Sequence, residues 1–354
     1  MQNNVADYIS RFGGDEFVLV LNKFESMEVL IKQLYEINYF IEKKISIASE
    51  EYHMNASFGI AIAPEHGDQS NVIISKADLA MYHVKNDNGN TWYQIYDESI
   101  NENFETKIKM IQNIKAGIKN NEFYMVYQPV MDAIYSKVFS VEALMRWEHN
   151  GKMIPPNEFI PLAEENDLIY DLGLVSIIES VKFLKTIGGH CNVSINLSTI
   201  QLKDPKIIDV LKQTIEAYGV SYEQIIVEVT ETAVIENFDV TVKVLNHMKS
   251  LGLRIAFDDF GTGYSSLSYL TKLPVDILKI DKSFVQSINE SKENMDLIKA
   301  IVTIANKRNL VVVFEGVEIK EQLMFILRLG CRYVQGYYYY KPMEIEGIHQ
   351  IIKN

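Results

Sequence analysis

Two adjacent aspartates, Asp258 and Asp259, end an apolar run that has the character of a buried strand (LRIAFDDF, residues 253–260). Like charges placed side by side at a buried strand end repel each other and lose hydration, so they need a cationic partner. Other strand-like runs also end in titratable or amide residues. In chain order these residues are Glu142, Asn196, Glu228 with Glu231, Asp258 with Asp259, Lys279 with Asp281, Glu315 with Glu318, and Gln335.

Several carboxylates brought together at one site would repel each other strongly unless cations relieve the repulsion. An all-oxygen set of Asp, Glu and Asn ligands favours Mg²⁺ or Mn²⁺ over zinc or copper. We expect two ions, with Asp258 bridging them and Asp259 holding the second. Two metals about 3.5–4 Å apart are a common arrangement for phosphodiester hydrolysis. In that chemistry Lys279 would orient the attacking water or neutralise developing charge, and Arg146 would bind a phosphate oxygen.

Each of these residues also has a simpler interpretation. A single glutamate at a strand end is more often a helix cap or a solvated loop charge, and Asn196 alone fits a turn or cap. Asp258 and Asp259 would also fit a helix cap, since GTGYSS follows them. Tyr337 to Tyr340 fit packing at the rim better than stacking on a base. Only Lys279, inside an apolar run, requires a carboxylate partner. The joint pattern, and not any single residue, predicts the metal site.

The elements that position these residues alternate between strand and helix from about residue 123 onward. The strand-like runs are FYMVYQPV (123–130), VFSVEALMRW (138–147), NVSINLS (192–198), IIVEVTE (225–231), LRIAFDDF (253–260), ILKIDKSF (277–284), LVVVFEGVE (310–318) and RYVQGYYYY (332–340). Helical stretches include residues 157–173 and 239–252. Eight such units predict an α/β fold of the (β/α)8 TIM-like barrel type, whose chemistry lies at the carboxyl ends of the strands. A doubly wound open sheet is the alternative.

The first 97 residues have a different, α+β pattern, with strand-like runs at 17–21 and 56–64 and helical stretches at about 25–43 and 70–86. Residues 98–120 are typical of a connecting or capping amphipathic helix. We therefore divide the chain into a segment at 1–97, a connecting helix at 98–120 and a barrel at 121–354.

Composition limits the function classes. The net charge of −13 argues against nonspecific binding of a nucleic-acid polymer but not against a small anionic ligand. Two cysteines in unrelated contexts suit a reducing compartment. The start of the sequence has no signal-peptide pattern, and no apolar run approaches the length of a membrane span. We expect a cytoplasmic protein without a transmembrane segment.

With these residues assigned, the chain resembles the EAL-domain cyclic di-GMP phosphodiesterases over roughly residues 100–354. The resemblance lies in VEALMRW (141–147), VSINLS (193–198), VEVTET (227–232), the run from DDFGTGYSS to VDILKID (258–281), FEGVE (314–318) and CRYVQGYYYYKP (331–342). It implies a barrel with one reversed strand, FYMVYQPV, and hydrolysis of cyclic di-GMP to linear pGpG in bacterial second-messenger signalling. Phe314, where alanine is common, is the one visible departure.

The resemblance also implies a role for each matching position. The ligands of the first metal would be Glu142, Asn196, Glu228 and Asp258, and Asp258 with Asp259 would hold the second. Lys279 would contact the catalytic water, with Gln335 near it and Glu315 as general base or orienting group. Glu231 would steady the loop after DDFG, and Glu318 would be a further supporting carboxylate. Arg146 would bind phosphate, and Gln128 would lie on the substrate side.

The amino-terminal segment resembles the second half of a GGDEF (diguanylate cyclase) domain, through RFGGDEFVLVL (11–21) and MNASFGIAIAP (54–64). The earlier half of such a domain carries part of the metal and phosphate site, so we expect no cyclase activity. The product-inhibition motif would begin with arginine, but the sequence there is Asn4-Val5-Ala6-Asp7.

Two other functions compete with hydrolysis. A catalytically silent cyclic di-GMP receptor would lack metal ligands, whereas every ligand position is filled here. An interaction scaffold would leave the row of acidic strand ends unexplained. For the enzyme we expect Ca²⁺ to be inhibitory, because its longer and less regular coordination does not hold a tight two-metal geometry. The family resemblance also allows a homodimer near the segment after DDFG.

Overall fold

The computed structural model describes residues 6–47, 50–86, 91–261, 270, 272–289 and 292–353. The chain forms two compact units, Met1–Ile108 and Lys109–Asn354. Helix α3 (Glu98–Lys119) runs through the boundary between them. Our division at residues 97 and 120 remains a proposal. In the part of the chain that the structure describes, no helix combines the length and the apolar character that a membrane crossing requires.

The first unit is α+β, as its sequence pattern predicts. Strands β1 (Tyr8–Gly13) and β2 (Glu16–Val20) form an antiparallel hairpin, as do β3 (Ile45–Ile47) and β4 (Glu50–Tyr52). Strands β5 (Phe58–Ile60) and β6 (Tyr93–Ile95) are parallel. The helices are α1 (Met27–Ile41) and α2 (Ser70–Asn86), with α3 following β6. Ser26 caps α1 by accepting a hydrogen bond from Val29 N.

The second unit is a closed barrel of eight strands. In chain order its strands are β7 (Phe123–Asp132), β8 (Lys137–His149), β10 (Asn192–Asn196), β11 (Ile225–Thr230), β12 (Arg254–Phe260), β13 (Ile277–Ile280), β14 (Val311–Phe314) and β15 (Tyr333–Gln335). The short β9 (Lys152–Ile154) pairs with the end of β8. The pairing β8–β10 on one side and β15–β7 on the other closes the ring, which excludes the open sheet.

Strand β7 is the reversed strand, as predicted. It pairs antiparallel with both β8 and β15, while the other neighbouring strands of the ring are parallel. A strand-like run such as FYMVYQPV does not by itself indicate whether the strand is parallel or antiparallel to its neighbours. The connection from β7 to β8 is a short hairpin, and such a connection can join only antiparallel strands.

Helices surround the barrel. They are α4 (Pro156–Glu165), α5 (Ile169–Thr186), α6 (Thr199–Lys203), α7 (Lys206–Tyr218), α8 (Glu231–Glu236), α9 (Phe238–Ser250), α10 (Lys282–Gln286), α11 (Lys292–Lys307), α12 (Lys320–Arg328) and α13 (Ile345–Lys353), with 3₁₀ turns at Tyr222–Gln224 and Ser287–Asn289. The main core lies between helices and strands, and a smaller cluster of Val130, Ile226, Ala256, Ile277 and Val313 fills the barrel interior.

Two predicted elements differ in extent from those observed. The single helix expected at 157–173 is two helices, because Asp167 adopts a left-handed backbone with φ 58° between them. The last strand ends at Gln335 and not at residue 340. Gly336 has φ 155°, and a Cβ there would lie 2.2 Å from Val317 O, so only glycine fits this turn.

Helix α11 offers a matched test of the core. Ile301 is 2% exposed in the main cluster, whereas Leu297, one turn earlier, is 45% exposed. We expect Ile301→Ala to lower the free energy of unfolding by about 2–5 kcal/mol through a cavity. Leu297→Ala, the control, is expected to change it by less than about 0.5 kcal/mol. Urea denaturation measures both. Equal losses would contradict the assigned packing.

Candidate active site at the barrel mouth

Lys279 of β13 is buried among four carboxylates, three from other strands and one from the residue that follows a strand. Its Nζ lies 2.6 Å from Glu228 Oε2, 2.7 Å from Glu315 Oε1, 3.2 Å from Asp258 Oδ1 and 3.3 Å from Glu142 Oε2. The lysine side chain is 2% exposed, so these ion pairs are shielded from water. Lys279 was expected to have one carboxylate partner, and it has four, which lie on β8, β11 and β12 and immediately after β14.

The carboxylates fall into two overlapping groups. One carboxylate oxygen from each of Glu142, Glu228 and Asp258 lies within 4.8 Å of the other two. The same spacing holds for Asp258, Asp259 and Glu315. Asp258 is common to both groups, which is the arrangement that a bridging ligand requires.

A bulge in β12 makes the second group possible. Adjacent strand residues normally point to opposite faces of a sheet, so Asp258 and Asp259 should diverge. The pairing of β12 with β13 shifts register between Phe257 and Phe260, and Asp259 has φ 54°. The Asp259 N–H donates to Asp258 Oδ1 at 2.9 Å. Such a bulge redirects a side chain next to a functional site, and here it turns both carboxylates toward the mouth.

Amide side chains organise Glu142. Asn196 Nδ2 donates to Glu142 Oε1 at 2.9 Å, which orients the Asn196 side chain toward the cluster, and Gln335 Nε2 donates to Glu142 Oε2 at 2.7 Å. Gln335 Nε2 also contacts Gln128 Oε1 at 3.3 Å, and Gln128 Nε2 donates to Tyr340 O. Gln335 Oε1 is buried without a hydrogen-bond partner among the described residues. The mouth thus offers more acceptors than its own donors satisfy.

Burial is the largest influence on the pKa of each carboxyl group in the cluster, and it acts to raise it. It raises the pKa of Glu315 to about 8 and, with Asp258 nearby, that of Asp259 to about 6. It also raises the pKa of Asp258, and that of Glu228 well above its ordinary value. For Glu142 burial acts in the same direction, but Lys279, Gln335 and Asn196 outweigh it and lower the pKa. For Lys279 the surrounding carboxylates outweigh burial and raise the pKa.

The donor set fits two divalent cations. The five carboxylates of Glu142, Glu228, Asp258, Asp259 and Glu315, when ionised, face the single ammonium group of Lys279. Four negative charges remain, which two divalent ions would balance. Oxygen atoms alone make up the set, as hard cations require. Without such ions, protonation would reduce the negative charge instead, and the raised pKa values of Glu228, Asp258, Asp259 and Glu315 agree with this.

The other predicted residues lie around this cluster. A hollow of about 340 Å³ adjoins it, and Gln128, Gln335 and Glu318 are among its lining residues. Glu231, buried at the start of α8, accepts a hydrogen bond from Gly261 N at 3.3 Å. Arg146 lies on β8 two positions beyond Leu144 and donates to Met145 O, and it does not line the hollow. The segment at 262–269, where a helix and a dimer contact were expected, lies outside the described residues.

Sequence reasoning missed six residues that line the hollow, two of them glycines: Leu144, Lys282, Gln286, Gly316, Gly336 and Tyr337, the last of which had been assigned to rim packing. Leu144 had a signal in the alternation of β8, since it is two positions from Glu142. Lys282 and Gln286 lie on a helix that begins directly after the strand carrying Lys279. Nothing in the local residue pattern places the first turn of that helix against the mouth.

Comparisons with known proteins identify the domains. Residues 111–342 match the profile of the EAL domain, and residues 1–91 match that of the diguanylate cyclase, GGDEF domain. The bifunctional diguanylate cyclase/cyclic di-GMP phosphodiesterase MucR of Pseudomonas aeruginosa is 34% identical over 97% of this chain and 50% of its own length. The cyclic di-GMP phosphodiesterase PdeR of Escherichia coli is 35% identical over 95% and 51%. The chain thus spans about half the length of these curated relatives.

Solved structures agree with the barrel. The PaMucR phosphodiesterase in complex with c-di-GMP is 33% identical, with a TM-score of 0.65 over 68% of this chain and 99% of that chain. The FimX EAL domain of Pseudomonas aeruginosa bound to c-di-GMP is 25% identical, with a TM-score of 0.62 over 66% and 96%.

The raised pKa values predict how pH acts on the metal-free protein. A carboxyl group with a raised pKa stabilises the fold at low pH, and this contribution is lost as the pH rises through the folded-state value. In EDTA we therefore expect Tm to fall between about pH 5 and 8.5, the window of Asp259 and Glu315. Adding Mn²⁺ should reverse most of the fall, because the ion replaces the protons.

Differential scanning fluorimetry at constant ionic strength measures this. Glu315→Gln should reduce the fall in EDTA, because it removes the group whose pKa is raised to about 8. A Tm in EDTA that rises with pH over this window would contradict the assignment.

Proposed function

Since the chain belongs to the EAL-domain family, we propose that it hydrolyses cyclic di-GMP to linear pGpG at the mouth of the barrel. The observation that carries this proposal is the pair of overlapping carboxylate groups around Asp258, next to a hollow of about 340 Å³. The named relatives are phosphodiesterases of the same nucleotide. A cytoplasmic location, expected from composition, is part of the proposal.

The residues would hold two Mg²⁺ or Mn²⁺ ions in two sets. Glu142, Asn196, Glu228 and Asp258 would bind the first, and Asp258 with Asp259 the second. When bound, the ions would stabilise charge on phosphate oxygens and make a neighbouring water more acidic.

The chain's own groups complete the site. Lys279 keeps four carboxylates in place through ion pairs of 2.6–3.3 Å and orients the attacking water. Glu315, whose Oε1 lies 2.7 Å from Lys279 Nζ, takes up the proton of that water as the general base. Gln335 fixes Glu142 and lies near the water. The hydroxide attacks one phosphorus, the bond from that phosphorus to its 3′-oxygen breaks, and the 3′-oxygen leaves with the bonding electron pair and takes a proton from solvent to become the 3′-hydroxyl of pGpG.

The remaining predicted residues would contact the substrate or fix the residues that line the hollow. Gln128 lines one side of the hollow, where it accepts a hydrogen bond from Gln335 and donates one to Tyr340 O. Glu231 fixes the chain after the aspartate pair by binding Gly261 N. Arg146 would bind a phosphate oxygen, and Glu318 would support the carboxylate wall.

The direct test is incubation of the purified protein with cyclic di-GMP, followed by separation of the nucleotides. We expect pGpG with Mg²⁺ or Mn²⁺ and binding without turnover in Ca²⁺, whose longer and less regular coordination does not fit closely spaced sites. Tight binding with no pGpG under Mg²⁺ or Mn²⁺ would identify a receptor instead. Neither binding nor product would reject the proposal entirely.

The bridging position allows a sharper test. Asp258→Asn removes one charge and almost no volume, so the fold should persist while kcat falls at least about a hundredfold. The matched control is Asp296→Asn on the exposed face of α11, where the carboxylate forms an exposed ion pair with Lys299. Control activity should match the parent protein. Retention of most turnover by Asp258→Asn would show that Asp258 is not the bridging ligand.

A further inference from the structure

Lys282 is the first residue of α10 and lies at the wall of the hollow beside the carboxylates. Its side chain is exposed, and no ion pair of Lys282 is found among the described residues. The hollow is otherwise lined by acids, amides, glycines, one leucine and one tyrosine. Within the described part of the chain, Lys282 is thus the one cationic side chain that lines it.

The two neighbouring cations, Lys279 and Arg146, are not among the side chains that line the hollow. Lys279 is enclosed by four carboxylates. Arg146 does not line the hollow, and its Nη1 donates to Met145 O at 2.8 Å. Among the lining side chains in the described part of the chain, Lys282 is therefore the cation that an anion inside the hollow meets.

Cyclic di-GMP has two phosphodiester groups, each with one negative charge. The reaction proposed above places one of them at the aspartate pair. The other must lie elsewhere in a mouth whose wall includes Asp259, Glu315 and Glu318, and these carboxylates would repel it. We propose that Lys282 binds this second, non-reacting phosphate, an inference that rests on the proposed function. Lys282 is then a substrate-specificity residue for a ligand with two phosphates.

Two features of the backbone position Lys282 at the wall of the hollow. Gly316 has φ 65°, and a Cβ on it would lie 2.4 Å from the Cβ of Lys282. The missing side chain at Gly316 lets the stem of Lys282 lie against the turn that carries Glu315. Asp281 caps α10 by accepting from Ser283 N at 2.9 Å, which fixes the start of the helix. Gln286, four residues after Lys282, lines the same hollow on the same helix face.

The test uses Lys282→Met, which keeps the length of the stem and removes the charge, with Lys282→Arg as the conservative variant. A hydrogen bond to a charged group at an exposed position is worth about tenfold in affinity. We expect Lys282→Met to raise the KM for cyclic di-GMP, and its Kd measured calorimetrically in Ca²⁺, by about tenfold, with kcat changed less than about threefold. Lys282→Arg should restore most of the affinity.

Two controls separate this role from a general one. Lys320, also exposed and also the first residue of a helix (α12), does not line the hollow, so Lys320→Met should leave both constants unchanged. Bis(p-nitrophenyl) phosphate has one phosphodiester and no second phosphate, so its hydrolysis should be equal in the parent protein and Lys282→Met.

The outcomes are distinct. If the parent protein turns over cyclic di-GMP and Lys282→Met has the same KM and Kd, the assignment of Lys282 is overturned while the proposed function stands. An equal loss on both substrates also overturns it, because Lys282 would then act at the reacting phosphate. A parent protein that neither binds nor hydrolyses cyclic di-GMP would overturn both the function and this inference.

Discussion

The charge balance around the buried ammonium of Lys279 is the constraint on which the mouth of the barrel depends. Four carboxylates lie within 3.3 Å of Lys279 Nζ. Burying any one of them in its ionised form without a cationic partner would cost much free energy. The lysine offsets only part of their charge, so the remainder must be protonated or bound to metal. The raised pKa values of Glu315 and Asp259 and the proposed need for divalent ions are thus two consequences of one excess of negative charge.

Barrel closure is what creates this excess. Glu142, Glu228, Asp258 and Glu315 are separated by 30 to 86 residues from one to the next along the chain, and they meet because parallel strands deliver their carboxyl ends to one rim. The reversed strand β7 contributes differently, since its side chain Gln128 reaches the mouth from the opposite chain direction and contacts Gln335. The bulge at Asp258 and Asp259 then overrides the ordinary alternation of strand faces and adds one more acid to the rim.

Much of this organisation is legible in the sequence. The alternation of strand-like runs and helical stretches predicts the barrel, the run at 123–130 is correctly identified as reversed through the family resemblance, and the apolar setting of Lys279 predicts its carboxylate partners. The predicted helix at 157–173 is wrong in its continuity, because a left-handed residue at Asp167 divides it. The last strand is shorter than predicted because Gly336 turns away from the sheet.

The sequence alone therefore determined that charged or amide residues stand at the ends of the strands, since hydrophobic periodicity and local charge are properties of short segments. The tertiary structure decided which of those groups share a cation, how far each is from Lys279 and which additional side chains line the hollow. Lys282 and Gln286 belong to the second kind: nothing in KSFVQ distinguishes them from surface residues until Gly316, distant along the chain, packs against the first turn of that helix. Distances between remote segments are set by barrel closure and backbone turns, and these depend on packing across the whole unit.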